Sequence, residues 1–409
     1  MKIHLRTFGC RANHYDTERV RAMALAAGHE IVDDVAGAEL AVFNSCAVTA
    51  EAERDLRRAV RGAARRNPGL RSVVMGCAAA LPHNEPVLRA LPTVETLVAG
   101  ADGAGIARAI GAGTDPDVEV ATRRQESARA VLRIQDGCDE HCTFCTTTHA
   151  RGANRSRGIP ELVREAEALA EHHPEIVLTG THIGTYGTDT GSSLGELVQV
   201  MIDRVPAIRF RLSSVEATEL DDRLVEMLVD GTRLVPHLHA PLQSGSDRLL
   251  RRMGRHWYTS ASYARGVERI AKRRSVFGLG ADVIVGFPGE TDADFADTMA
   301  VVHDLPFTYL HVFPYSARPG TAATRLPDAV APALAAERSA RLRQLAADKT
   351  QAYQRGRCGA AADLIVVTAP PSRQAMTEDF LTVPFAGARP RGERFRGTLA
   401  WTNGSLAAA

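Results

Sequence analysis

From residue 2 to residue 315 the chain keeps alternating short apolar runs with amphipathic stretches of helical period, and that rhythm restricts it to parallel α/β architecture. In the first hundred residues the strand candidates are KIHLRTF (2–8), ELAVFNS (39–45) and SVVMG (72–76), with helices expected over 15–27 and 51–66. A turn-rich acidic stretch, GAGTDPDVEV (111–120), interrupts the pattern. It resumes with six strands: AVLRIQ (130–135), EIVLTG (175–180), IRFRLSS (208–214), LVPHLHAPL (234–242), LGADVIVGF (279–287) and YLHVFPY (309–315). Helical segments such as 161–173, 193–205 and 292–305 lie between them. Six βα repeats make a barrel or part-barrel, whose chemistry belongs at the C-terminal ends of the strands. A long helix over 331–355 then leads to DLIVVTA (363–369), EDFLTVPF (378–385) and RFRGTLAW (394–401), short strands parted by Gly and Pro, while the terminal GSLAAA is expected to fray. A chain of 409 residues exceeds one hydrophobic core. The expected fold class is therefore α/β: an N-terminal parallel α/β sheet domain (1–115), a central (βα)6 partial barrel (124–355) and a small C-terminal β-domain (356–409).

Composition enters as a set of exclusions. A formal net charge of +1 gives no global electrostatic case for nucleic-acid binding, and basic clusters such as RRAVRGAARR (57–66), RGANRSR (151–157) and RLLRRMGR (248–255) each read first as solvated faces. No run of 18 apolar residues exists, and MKIHLRTFGC lacks the apolar centre of a signal peptide, so a cytoplasmic protein without membrane association is expected. Seven cysteines in a reducing compartment are thiols or ligands, and the odd number argues the same way.

Their positions sharpen this. Cys10, Cys46 and Cys77 each fall just past the end of an expected strand. In a parallel sheet those loops share one edge, so the three thiols are expected to converge, although any one alone reads as a small buried hydrophobe. Cys138, Cys142 and Cys145 follow the first barrel strand with the spacing CxxxCxxC, which turns soft thiolates toward a common centre suited to zinc or iron-sulfur chemistry. His141 offers a fourth zinc ligand inside the loop, but zinc loops usually recruit a second, distant ligand pair. A four-iron cluster on three cysteines instead leaves one iron without a protein ligand, open to a substrate.

CDEHCTFC (138–145) resembles the signature of radical S-adenosylmethionine (SAM) enzymes, in which SAM chelates that open iron and is cleaved by an electron from the cluster to a deoxyadenosyl radical. GCRANHYDTE (9–18), NSCAVTAEAER (44–54) and MGCAAA (75–80) look like the N-terminal domain of the methylthiotransferases. LTGTHIGTYG (178–187), RFRLSSVEATELDD (209–222), PHLHAPLQSGSDRLLRRMGR (236–255), DVIVGFPGET (282–291) and HVFPYSARPGTAATRLP (311–327) match further motifs of that family in order, and MTEDFLTVPF (376–385) is similar to a TRAM domain, a small β-barrel that grips RNA. GCRANHYDTE and HVFPYS most resemble the branch that methylthiolates threonylcarbamoyladenosine beside the anticodon of tRNA.

The resemblance implies two 4Fe-4S clusters and SAM as cofactors. The cluster on Cys138, Cys142 and Cys145 would make the radical, and the cluster on Cys10, Cys46 and Cys77 would deliver sulfur. Phe144 would pack near the adenine, Gly180 would approach the SAM amino group, Ser213, Ser214 and Gln243 would meet polar SAM atoms, and Ile284, Val285 and Gly286 would pass the adenine with their backbone. Read without it, these are a core aromatic, a turn glycine and residues capping strand ends. Arg151, Arg155 and Arg157 after the cluster loop, with Arg389, Arg391, Arg394 and Arg396 in the last domain, are the expected RNA contacts, each having a solvated arginine as its plain alternative. His237 and His239, alternating on a strand, are expected to pack inside the barrel rather than bind metal, and Cys358 is a structural thiol. The implied partners are the tRNA anticodon stem-loop, an electron donor and a sulfur source, with a monomer as default. TTTHARG after Cys145 and AAAL after Cys77 depart from the family pattern. They keep open the same chemistry on isopentenyladenosine in tRNA, a ribosomal-protein aspartate, a peptide or a natural product; a non-catalytic iron-sulfur or zinc protein is the third reading.

Overall fold

The computed structural model describes residues 1–112, 124–205, 207–368, 371–402 and 404–408. The acidic stretch expected between the first two domains therefore lies mostly outside the described residues. The chain forms two compact units: Met1–Arg123 with Gln135–Arg155 and Ser316–Thr324, and Arg124–Ile134 with Ser156–Tyr315 and Arg325–Ala409. The three-thiol loop thus belongs to the same unit as Cys10, Cys46 and Cys77.

The first unit is built on β1 (Lys2–Thr7), α1 (Arg11–Ala26), β2 (Glu30–Ile31), β3 (Leu40–Ser45), α2 (Ala50–Arg66), β4 (Arg71–Gly76), α3 (Glu85–Arg89), β5 (Val94–Ala99) and α4 (Gly103–Ile110). Its strands form a parallel sheet ordered β2-β1-β3-β4-β5. All six residues of β3 are buried, because both faces of the sheet are covered. Ala41 and Phe43 enter one core with Leu56 and Val60 of α2, while Leu40 and Val42 enter the other with Val20 of α1 and Ile106 of α4. Helix α1 begins at Arg11, earlier than expected, because Cys10 takes the extended N-cap conformation. Thr49 caps α2 by accepting from the Ala52 amide at 3.2 Å, and Glu51 and Glu53 in its first turn suit the helix dipole.

Beyond this come β6 (Ala130–Arg133) and two short strands, β7 (Gln135–Asp136) and β8 (Arg155–Ser156), that bracket the cysteine loop and α5 (Thr147–Arg151) along the chain. The second unit continues with α6 (Ile159–Ala170), β9 (Glu175–Thr179), α7 (Leu194–Arg204), β10 (Arg209–Leu212), α8 (Asp222–Asp230), β11 (His237–His239), α9 (Asp247–Arg252), α10 (Ser260–Ala271), β12 (Gly278–Val285), α11 (Asp292–Asp304) and β13 (Tyr309–Pro314). Strands β6, β9 and β10 form one parallel sheet and β11, β12 and β13 another, and parallel bridges at Phe210–Leu234 and Ser214–His239 connect them. The six expected strands are all present, in chain order around a partial barrel.

The long α12 (Pro332–Gly356) leads to β14 (Ala361–Thr368), β15 (Gln374–Met376), β16 (Thr382–Pro384), β17 (Arg394–Thr402) and β18 (Ser405–Ala408). They form an antiparallel sheet ordered β16-β15-β14-β17-β18, and a bridge between Phe385 and Ala408 brings its ends together into a nearly closed barrel, compatible with the expected TRAM-like domain. Residues 404–408 of GSLAAA do not fray: β18 pairs with β17 and buries Leu406 beside Leu364, Val383 and Leu399, while Ala409 lies outside the described residues. Cys358 is exposed past the end of α12.

The small barrel is fastened to the large one by buried charge. Glu175 accepts from Arg209 Nε at 2.6 Å, from Arg211 Nε at 2.9 Å and from Arg129 Nη1 at 3.0 Å. Arg209 Nη1 also donates to the Asp363 carbonyl at 2.6 Å, and Arg211 Nη2 to that of Thr377 at 3.2 Å. Burial alone would raise the Glu175 pKa, but the three guanidinium groups hold it well below the usual carboxylate range.

Candidate iron-sulfur and SAM site

Cys10, Cys46 and Cys77 stand in the loops after β1, β3 and β4, at one edge of the sheet. Asn13 stitches two of those loops together, its amide donating to the Phe8 carbonyl at 2.8 Å and the Ser45 carbonyl at 2.9 Å. Ser45 fastens the third: its carbonyl accepts from the Cys77 amide at 3.0 Å and its hydroxyl from the Ala78 amide at 3.2 Å. Gly9 is required here. Its φ is +97°, and a Cβ on it would lie 2.5 Å from Cβ and 2.7 Å from Sγ of Cys46. Burial pushes the Cys46 thiol up, and pushes Cys77 up to about 12. The neighbouring thiolates add to this in both cases, while Arg151 opposes it. Three thiolates side by side here would repel one another, and thiolates are soft donors suited to a cationic centre.

In the second thiol loop Gly137 has φ +76°, and a Cβ there would overlap the Ala153 carbonyl oxygen at 1.8 Å. The loop therefore folds back on the segment that follows it. The Cys138 amide donates to the Gly152 carbonyl at 3.0 Å, the Asn154 amide to Asp139 at 3.0 Å, and Gln135 to the Gly137 carbonyl at 2.7 Å. Cys138, Cys142 and Cys145 are all partly exposed, as is Phe144. In the TTTHARG departure, Thr147 puts its hydroxyl 3.0 Å and its amide 3.3 Å from the Cys145 sulfur.

The residues expected to meet SAM follow the C-terminal ends of consecutive parallel strands: Gly180 after β9, Ser213 and Ser214 after β10, Gln243 after β11, and Ile284 to Gly286 at the end of β12. Gln243 takes φ +61°, a strained conformation for a residue with a side chain, held by its amide donating to the Asp282 carbonyl at 2.8 Å and its carbonyl accepting from Ile284 at 2.9 Å. His237 and His239 share the Tyr309 hydroxyl at 2.9 and 3.0 Å, and the His237 ring stacks on Phe380. His239 also reaches Asp282 at 3.1 Å, as does His311. Burial opposes the Asp282 charge, yet these imidazoles hold its carboxyl well below the usual range. His311, Asp282 and Tyr309 were not singled out from the sequence; period-two spacing on neighbouring strands is the signal that brings them to this face.

The seven arginines divide. Arg151 is buried, with Nη2 donating to Asp16 at 2.9 Å and to Asn13 at 2.6 Å, Nη1 to Asp136 at 3.1 Å, and Nε to the Cys77 sulfur at 3.3 Å. A guanidinium so enclosed is withdrawn from any RNA surface. Arg157 is held by Glu161 and Glu165, Arg389 by Glu393, and Arg394 by Asp363 at 2.7 Å. Arg155, Arg391 and Arg396 are exposed. Arg394 and Arg396, with Arg233 and Arg274, line a cavity of about 500 Å³ whose wall also carries Asp363 and Glu378.

Residues 132–302 match the radical SAM superfamily, and residues 2–99 match a family described as uncharacterized protein family UPF0004. In fold the chain is similar to the radical SAM methyltransferase TsrM of Kitasatospora setae, solved with cobalamin and a [4Fe-4S] cluster, at a TM-score of 0.58 and 15% identity over 79% of this chain and 76% of that one. Barrel, thiol loop and family match define a radical SAM enzyme. Among curated proteins, the threonylcarbamoyladenosine tRNA methylthiotransferase MtaB of Thermotoga maritima is 36% identical over 86% of this chain and 83% of its own length, and that of Aquifex aeolicus is 32% identical over 97% and 99%. The chain belongs to the MtaB family of radical SAM methylthiotransferases, transferases that use SAM and [4Fe-4S] clusters. Among the described residues no helix is long and apolar enough to cross a membrane.

Proposed function

We propose that this enzyme converts N6-threonylcarbamoyladenosine beside the anticodon of tRNA to its 2-methylthio derivative, in the cytoplasm and as a monomer served by a separate electron donor and sulfur source. The observation that carries the proposal is the presence of two sets of three thiols in one compact unit, on a chain that spans nearly the whole length of MtaB relatives. The domains are assigned as 1–115 for the sulfur-delivering centre, 124–355 for radical SAM chemistry and 356–409 for RNA.

Cys138, Cys142 and Cys145 would hold one four-iron cluster and Cys10, Cys46 and Cys77 the other. The convergence of the second set, with Gly9 leaving room for Cys46, fits such a group, and each set offers three ligands where four irons need four. When bound, the clusters supply one-electron cleavage of SAM and the sulfur that is transferred. The protein's residues position and enclose. Gly180, Ser213, Ser214, Gln243 and the backbone of Ile284, Val285 and Gly286 would orient SAM from the strand ends, and Phe144 would cover its adenine. Arg391 and Arg396, exposed and without an ion pair among the described residues, are the leading RNA contacts; Arg155 is exposed but reaches Asp136 at 3.8 Å, and Arg157, Arg389 and Arg394 would first have to leave a closer acidic partner.

Tandem mass spectrometry of tRNA nucleosides from a strain lacking this chain tests the substrate. The methylthiolated threonylcarbamoyl nucleoside should disappear and its unmodified precursor accumulate. An unchanged nucleoside profile would move the same chemistry to another substrate.

A further inference from the structure

Arg151 lies on α5, six residues after Cys145, yet its guanidinium is committed to the other thiol set. Its side chain is 3% exposed. Asn13 spends both amide hydrogens on the carbonyls of Phe8 and Ser45, which leaves its Oδ1 facing Arg151 at 2.6 Å. Asp16 and Asp136 accept from Nη2 and Nη1, so the two ends of the planar fork are fixed. The remaining donor, Nε, points at the Cys77 sulfur at 3.3 Å. A lysine has no such geometry: one ammonium cannot face two carboxylates and an amide while presenting a separate N–H to sulfur.

Resting on the ligand assignment proposed above, we infer that Arg151 is a positioning residue for the cluster on Cys10, Cys46 and Cys77, donating to the Cys77 sulfur and raising that cluster's reduction potential relative to the one in the neighbouring loop. An N–H bond to a ligand sulfur and a nearby cation both favour the more negative, reduced state of a cluster. Asp16 and Asp136 moderate the effect and keep the guanidinium aimed. Because α5 continues directly from the Cys138–Cys145 loop, the residue that adjusts one centre is carried by the segment that builds the other.

The test uses the full chain with Cys138, Cys142 and Cys145 replaced by Ala and reconstituted anaerobically, so that only the second cluster is present, and reads its midpoint by EPR-monitored redox titration. Arg151→Met should move the midpoint to more negative values, Arg151→Lys less so, and Asp16→Asn, which removes an opposing charge while leaving the donor, to more positive values. If Arg151→Met loads no iron, the Lys and Asn variants still decide, since their shifts must have opposite signs. No shift, shifts of one sign, or an equal Arg151→Met shift in the complementary chain lacking Cys10, Cys46 and Cys77 overturns the inference. Loss of the tRNA assignment with these shifts intact removes the proposed substrate and leaves Arg151's role standing; failure of Cys10, Cys46 and Cys77 to bind iron removes the ligand assignment and the inference together.

Discussion

At Gly137 a positive φ and the nearby Ala153 carbonyl leave no volume for a methyl group, and the residue immediately precedes Cys138. Gly137→Ala must therefore open the turn that aims the first thiol of the loop. Anaerobic reconstitution should then give about four irons per chain instead of about eight, with the cluster on Cys10, Cys46 and Cys77 retained. Thr147 makes a subtler case. In the TTTHARG segment this enzyme places a hydroxyl 3.0 Å from the Cys145 sulfur. Once that sulfur is a ligand thiolate the hydroxyl donates to it, and one such bond is worth about 1 kcal/mol, which corresponds to roughly 40 mV for a one-electron couple. Thr147→Val should lower the midpoint of the Cys138–Cys145 cluster by an amount of that order, measured with Cys10, Cys46 and Cys77 replaced.

Among the elements, β10 shows why pattern reading has a limit. IRFRLSS alternates charged and apolar residues, the mark of a strand with one face in water, yet Arg209 and Arg211 are fully buried. Their partner, Glu175, starts the neighbouring strand, and their other acceptors are carbonyls and the Asp363 carboxylate of the C-terminal barrel. No local window contains that information. The cysteines, by contrast, were legible, because strand ends of a parallel sheet share an edge whatever the side chains do. Arg151 was not, since its acceptors come from positions 13, 16, 77 and 136. GSLAAA misled because small residues resemble a tail until β17 supplies a partner. Glu175→Gln tests the buried network: it leaves fully buried Arg211 without its charge partner, while Arg209 keeps Asp363 at 3.2 Å, a loss of about 3–5 kcal/mol, visible as a lower denaturation midpoint. The folded pKa of Glu175 lies below its unfolded value of about 4.3. Its contribution is therefore complete at neutral pH and is lost as pH falls through the folded pKa, so the wild-type advantage over Glu175→Gln shrinks in acid.

For the whole molecule, a net charge of +1 means that tRNA affinity must come from a few placed cations rather than from a general positive field. The acidic partners of Arg157, Arg389 and Arg394 remove much of the basic character that their sequence clusters suggest. The electrostatic part of binding should accordingly be small, with a shallow dependence of log K on log salt. Each phosphate contact to single-stranded RNA adds about 0.7 to that slope. Arg391→Ala and Arg396→Ala should each flatten it by about that amount in titrations of the anticodon stem-loop, because both side chains are exposed and free to meet phosphate. Arg394→Ala should change it less, since its guanidinium already serves Asp363 at 2.7 Å and a phosphate would have to displace that carboxylate. Equal slopes for all three variants would mean that the C-terminal barrel meets RNA through bases or shape instead of through these charges.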